Sequence, residues 1–191
     1  MALFQKPVIE TERLLLRRWT MQDMAGFLRF AADPGVMMAA GARPVLSPEE
    51  ARAELKRSAE DPYNFAMVLK STGEVVGKIK YQNDLRRLHV NSVSVAYEMA
   101  RQYWGHGYMT EALRGMVRHA FEVMQVDVVG ISHFAENARS RRVIERVGFY
   151  REGLIPRAFR RFDGVVFDEM SYSLLKEEYY SGAPADIRHI I

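Results

Sequence analysis

Residues 97–113 read Tyr97-Glu98-Met99-Ala100-Arg101-Gln102-Tyr103-Trp104-Gly105-His106-Gly107-Tyr108-Met109-Thr110-Glu111-Ala112-Leu113. Their first three residues close a stretch, 93–99, that alternates with the period of a strand. Val93, Val95 and Tyr97 share one face, and Ser94, Ala96 and Glu98 the other. From Met109 onward the spacing becomes helical, with Leu113, Met116, Val117, Ala120, Phe121 and Met124 on one side. Between strand and helix, Gly105 and Gly107 let the backbone turn without a Cβ clash. Successive N–H groups then point into the turn, and the helix N-terminus adds about half a positive charge. Such a turn cradles phosphate or pyrophosphate. Taken alone, a two-glycine turn is also a common piece of plain architecture.

The flanking sequence supplies the rest of the fold. Upstream, residues 12–19 (ERLLLRRW) read as a first strand. Thr20 and Asp23 give a partial capping signal for a helix carrying Phe27, Leu28 and Phe30. Residues 33–46, rich in Gly, Met and Ala, read as a loop. Ser47-Pro48-Glu49-Glu50 starts a helix running to about Glu60. A hairpin follows, residues 65–69 and 75–79 around a turn at 70–74. Downstream, residues 127–134 read as a buried strand, and Asn137 starts a basic helix that ends at Gly148. Two closing strands, about 149–162 and 165–174, turn around Asp163-Gly164. The order predicts a mixed α/β domain with helices on both faces of one central sheet.

Composition bounds the chemistry. A chain of 191 residues, 48% hydrophobic and 27% charged, fits one soluble domain. We expect that domain over residues 1–180 and a tail over 181–191. No apolar run reaches the roughly 20 residues of a membrane span, and the N-terminus lacks a signal-peptide pattern, so a cytoplasmic location is expected. The absence of cysteine rules out disulfides, thiolate metal sites and a Cys nucleophile. No metal site is expected. A formal charge of +3 reads as a solvated surface in preference to nucleic-acid binding.

Two further stretches turn these patterns into a resemblance. Tyr97-Glu98-Met99 followed by Trp104-Gly105-His106-Gly107-Tyr108-Met109-Thr110-Glu111-Ala112 resembles the acetyl-CoA-binding segment of GNAT-fold N-acetyltransferases. The run at 137–149, NARSRRVIERVGF, is similar to the second signature of that family, Asn-x-x-Ser leading to Gly-Phe. Residues 12–17, Gly153 and the closing 168–175 (DEMSYSLL) resemble the RimJ/RimL-like branch, which acetylates N-termini of ribosomal proteins. The likeness holds in consistent order over about residues 11–180.

The resemblance implies a central, mixed, mostly antiparallel twisted sheet of about seven strands, with two parallel strands (about 93–99 and 127–134) splayed to admit acetyl-CoA. It implies that backbone groups of Tyr97, Glu98 and Met99 pair with the pantetheine amides. The amides of Gly105, His106, Gly107, Tyr108, Met109 and Thr110 would hold the pyrophosphate, and Asn137 would bind near the pantetheine. Arg139, Arg141 and Arg142 read as solvated rather than phosphate-binding. The implied reaction is direct acetyl transfer to a primary amine, either a small molecule or a protein N-terminus, with ribosome association as one setting. The chain would work as a monomer or homodimer.

Departures from the family pattern are equally specific. Trp104 stands where the family carries Arg or Gln, a replacement familiar in the RimJ/RimL-like branch, and Met109 where it carries a small residue, which requires its side chain to point into the core. The usual acid, a Tyr, is replaced by Ile144, and the Glu base of some relatives by Ser132. Ser140 is the candidate donor to the leaving thiolate, or an ordinary capping residue of the first helical turn, and Glu98 is the candidate base, or half of a structural ion pair with an arginine. A backbone N–H near Met99 is the candidate oxyanion donor. His133, next to the family's catalytic position, reads as a buried, hydrogen-bonded histidine. Residues 33–46 and 157–163 and the first two helices would line the acceptor pocket, with Met37, Met38, Tyr63 and Phe159 either as partly apolar walls or as core packing. The missing acid and base also admit a non-catalytic acetyl-CoA sensor, and a basic RNA-associated protein is a third class.

Overall fold

The structure, a computed structural model, describes residues 8–182. Eight strands run in the order β1-β2-β3-β4-β5-β6-β8-β7. They are β1 (Ile9–Glu10), β2 (Leu14–Arg18), β3 (Asn64–Leu69), β4 (Val75–Gln82), β5 (Ser92–Met99), β6 (Val128–Phe134), β7 (Tyr150–Arg160) and β8 (Val166–Leu175). The helices are α1 (Met24–Ala31), α2 (Pro34–Ala39), α3 (Pro48–Glu60), α4 (Tyr108–Glu122), α5 (Ala138–Val147) and α6 (Lys176–Ser181). The mixed α/β sheet is as expected, with β1 as the strand beyond seven; two residues are too short to show a period. Residues 183–191 of the expected tail lie outside the described residues. Contacts divide the chain into two compact units, Met1–Tyr81 with Tyr97–Gly115, and Gln82–Ala96 with Met116–Ile191.

In the first unit β2 pairs antiparallel with β1 and β3, and β3 with β4. α1 buries Phe27, Phe30 and Ala31 around Trp19. Trp19 meets Phe27 edge-on at 5.6 Å, and Phe27 meets Phe30 at 5.4 Å. Such pairs add about 0.5–1.5 kcal/mol beyond their buried area. Asp23 accepts from the Thr20 N–H at 2.8 Å and pairs with Arg17 at 2.8 Å, fixing the entry to α1. Ser47 caps α3 by accepting the Glu50 N–H at 3.2 Å.

Residues 33–46 are not wholly loop. Asp33 accepts the N–H groups of Gly35 (2.8 Å) and Val36 (3.3 Å), Pro34 takes the first helical position, and α2 follows. This is the cap-plus-proline signal of α3 again, hidden by a Gly- and Met-rich composition.

In the second unit the start of β5 pairs parallel with β6, from Ser92 with Val128 to Val95 with Ile131. β6 pairs antiparallel with β8, and β8 with β7. Met124, assigned to the apolar face of α4, falls after the helix has ended at Glu122 and is half-buried. On one face of β6 and β8 lies a polar cluster. Glu152 accepts from Ser171 Oγ (2.7 Å) and Ser173 Oγ (2.8 Å) and pairs with Arg87, which also holds Asp84 at 2.6 Å. A Cβ on Gly130 would lie 2.7 Å from Asp84 Oδ2, so this glycine makes room for the pair. Among the described residues no helix is long and apolar enough to cross a membrane, and no group of three or more His, Asp or Glu is placed to hold a metal ion.

Burial works to raise the Glu152 carboxyl, but the bonds from Ser171, Ser173 and Arg87 outweigh it and hold the group below its ordinary range. A depressed carboxyl contributes stability that is present above the unfolded value, about 4.5, and is lost as pH falls through the folded one. Glu152→Gln should therefore lower the Tm at pH 7 and flatten its decline below about pH 4.5. Thermal melts across pH 3–7 test this, and parallel curves for both proteins would contradict it.

Candidate active site

In the first unit, β5 ends against β4 at very close range. The Ala100 N–H donates to Val76 O at 3.0 Å. Because successive peptide groups of a strand point to opposite edges, the N–H and C=O of Met99 face away from β4. A Cβ on Gly77 would lie 2.4 Å from Glu98 O and 3.0 Å from the Met99 Cα. Only glycine lets the two strands approach this closely. The Met99 carbonyl accepts from Trp104 Nε1 at 2.8 Å. The sequence marks Trp104 as a departure from the family pattern but gives no sign of this bond.

After a 3-10 turn over Arg101–Tyr103, the chain passes Gly105 (φ +84°) and Gly107 (φ +80°) into α4. Both glycines occupy the left-handed region that other residues avoid. Gly105, His106 and Gly107 are exposed. The first hydrogen bond of α4 runs from Glu111 N–H to Gly107 O at 3.0 Å. The N–H groups of Tyr108, Met109 and Thr110 therefore have no acceptor within the helix. Met109 is buried, as its place in the turn requires, and Thr110 is buried beside it.

Arg13, 93 residues away, borders this turn. Its Nη1 donates to His106 O at 3.1 Å, its Nε meets Glu111 at 2.7 Å, and its guanidinium lies 4.7 Å from the Tyr108 ring centroid. Glu111 also accepts from Thr11 Oγ1 and the Arg13 N–H, both at 2.7 Å. Burial works to raise the Glu111 carboxyl, but these donors hold it below its ordinary range. The start of α4 is thus moored to the β1–β2 connection by one carboxylate. Arg101, on the other flank, is gripped by Asp33 at 2.6 and 2.9 Å. Free amides, open glycines and a bordering guanidinium suit an anionic ligand such as a pyrophosphate.

Glu98, the candidate base, is buried, and its Oε2 lies 3.1 Å from Lys78 Nζ. The approach is close enough for an ion pair but lies outside hydrogen-bonding geometry, so Oε2 is a buried oxygen with a charge partner and no hydrogen bond. A lone buried acceptor of this kind calls for a functional or structural account. Met37 packs into the core around Trp19, and Phe159 packs on Phe134 at 5.3 Å. Tyr63 is exposed.

In the second unit, Asn137 is the N-cap of α5: its Oδ1 accepts the Ser140 N–H at 3.2 Å. Ser140 is half-buried in the first turn. Ile144, where the family carries Tyr, is fully buried, and Ser132, where relatives carry Glu, stands opposite Ser171 in the β6–β8 ladder. His133 is buried, with Nδ1 2.7 Å from Phe134 O and Nε2 3.2 Å from Tyr172 Oη. Burial pushes its imidazole below the ordinary range, against the pull of the Phe134 carbonyl, which leaves it neutral near pH 7.

Comparison with known proteins shows the family and the fold. Residues 13–150 match the family described as "Acetyltransferase (GNAT) domain". The uncharacterized N-acetyltransferase p20 of Bacillus licheniformis is 26% identical over 174 residues, covering 88% of this chain and 96% of p20. A GNAT-family acetyltransferase from Bacillus anthracis superposes with a TM-score of 0.81 at 24% identity, over 90% of this chain and all of that one. The ribosomal-protein-S5-alanine acetyltransferase of Vibrio fischeri superposes with a TM-score of 0.73 at 20% identity, over 91% of this chain and 98% of that one.

The closeness of β4 and β5 makes a test. Gly77→Ala should destabilise the protein by about 1–3 kcal/mol, because the obstacle is backbone and cannot rotate away. Urea unfolding measures this; an unchanged midpoint and slope would show that the strands separate without cost.

Proposed function

The chain belongs to the GNAT acetyltransferase family, and on that premise we propose that it transfers an acetyl group from acetyl-CoA directly to a primary amine. The observation that carries the reading is the turn at residues 105–110, with unspent amides, two left-handed glycines and Arg13 alongside. The amides of Gly105, His106, Gly107, Tyr108, Met109 and Thr110 hold the pyrophosphate of the donor. Tyr97, Glu98 and Met99 run beside the pantetheine in the manner of an added strand. With the Met99 carbonyl held by Trp104, the Met99 N–H is the group of that residue left to meet the substrate. Asn137 keeps its place near the pantetheine by its position in the Asn-x-x-Ser motif.

The chemistry follows from charge. The neutral amine attacks the thioester carbon, a C–N bond forms, and the carbonyl oxygen becomes an oxyanion that the Met99 N–H stabilises. Glu98, with Lys78 beside it, takes the amine proton through a water. The C–S bond then breaks as the carbonyl reforms, and the Ser140 hydroxyl donates a hydrogen bond to the departing thiolate. The proton taken by Glu98 passes to solvent, from which the thiolate is protonated. With the family's tyrosine replaced by a buried Ile144, positioning carries a large part of the rate; it is able to supply several kcal/mol. The acceptor is a protein N-terminus or a small-molecule amine, and the RimJ/RimL-like motifs favour a ribosomal-protein N-terminus in the cytoplasm.

Thiol release from acetyl-CoA, followed against N-terminal peptides, polyamines, aminoglycosides and amino acids, tests the proposal. Turnover with one class identifies the acceptor. Tight acetyl-CoA binding with no release on any amine would instead make the protein an acetyl-CoA sensor. Ser140→Ala should slow turnover about ten- to a hundredfold with acetyl-CoA affinity nearly intact; unchanged turnover would sink its role. Gly107→Val forces a branched side chain into φ +80° and should abolish acetyl-CoA binding in calorimetry.

A further inference from the structure

We infer that Trp104 is a positioning residue for acetyl transfer: its indole N–H fixes the Met99 peptide so that the Met99 N–H is aimed in advance at the acetyl oxygen. The inference rests on the acetyl-transfer reading above and adds to it a residue whose own atoms need not touch the substrate.

Met99 is the last residue of β5, where a strand is least constrained. Two interactions remove that freedom. On one edge, the Ala100 N–H donates to Val76 O at 3.0 Å. On the other, Trp104 Nε1 donates to Met99 O at 2.8 Å. Both bonds grip the same peptide plane, between residues 99 and 100. Behind it, Gly77 brings β4 so close that the Met99 Cα has little room to move. The Met99 N–H belongs to the preceding peptide plane, whose Glu98 carbonyl is pressed against Gly77, so the N–H is constrained from both sides of the Met99 Cα. In a β-strand it shares an edge with the carbonyl that Trp104 holds.

Trp104 is itself held. Its backbone N–H donates to Arg101 O at 3.0 Å, and the Arg101 guanidinium lies 5.6 Å from its ring centroid. Arg101 is in turn anchored by Asp33, the residue that caps α2. The indole is therefore a donor on a short, braced side chain. A donor that is already aimed when charge develops costs no reorganisation in the transition state. Released from the indole, the 99–100 peptide would keep only its bond to Val76, and the Met99 N–H would lose part of its aim.

The experiment compares Trp104→Phe and Trp104→Leu with the parent protein. Phe keeps an aromatic ring beneath Arg101 and loses the N–H; Leu loses both. Steady-state acetyl transfer gives kcat and KM for acetyl-CoA, calorimetry gives CoA affinity, and thermal melts give Tm. Both variants should lose about ten- to a hundredfold in kcat. The KM for acetyl-CoA and the CoA affinity should stay within about twofold, the mark of an interaction used only in the transition state. The Phe and Leu losses in kcat should match even though Leu lowers the Tm further. A Phe variant with the parent's kcat would overturn the inference, as would losses that track Tm or a KM that rises in step. A parent protein that releases no CoA with any amine would instead refute the acetyl-transfer reading, and the two failures are thereby distinct.

Discussion

The working half of the first unit depends on one constraint: the end of β5 cannot move relative to β4. The Ala100 N–H is spent on Val76, and Gly77 admits no side chain between the strands. The next residues of the first unit are referred to that fixed point. The 3-10 turn at Arg101–Tyr103 leaves it, Trp104 reaches back to it, and the two glycines start only then. The turn would be a floppy linker if its origin were free. Glu111 secures the far end by binding Thr11 and Arg13, so the exposed amides lie between two anchored points.

The second unit is built on a different principle. Its sheet face carries charge and hydroxyl groups in place of a purely apolar layer, and each group has a partner. Glu152 is the hub, and Arg87 ties it to Asp84. Such a cluster is tolerated because it is satisfied; a half-satisfied one would cost more than an apolar face. α5 is held by its ends, with Asn137 capping the start and left-handed Gly148 closing it, while Ile144 alone is buried from its middle. An amphipathic basic helix so capped presents Ser140 in its first turn without needing much core of its own.

These features were unevenly legible. The turn at 105–110, the caps of α3 and α5 and the hairpin at Asp163-Gly164 are written in adjacent residues, because turns and caps are satisfied locally. The departure at Trp104 was visible as a departure, yet its bond to Met99 depends on how a 3-10 turn folds the indole back. α2 carried a readable Asp-Pro start that composition obscured. Arg13 gave no signal at all, since 93 residues separate it from the turn it borders.

The sequence by itself determined the family, the mixed α/β order of elements and the two-glycine turn into α4, since each is encoded in local period, local capping or a short ordered motif. The resemblance also sets Ile144 and Ser132 at the positions where it implies a Tyr and a Glu. Only the tertiary structure decided which groups are already committed. It gave the buried Glu98 a half-buried lysine partner with no hydrogen bond, put Asn137 on the Ser140 N–H, and left Met99 with its carbonyl held by Trp104. The physical reason is that a hydrogen-bonding group is defined by its partner, and these partners, several of them distant in sequence, are brought together by packing, which no local pattern records.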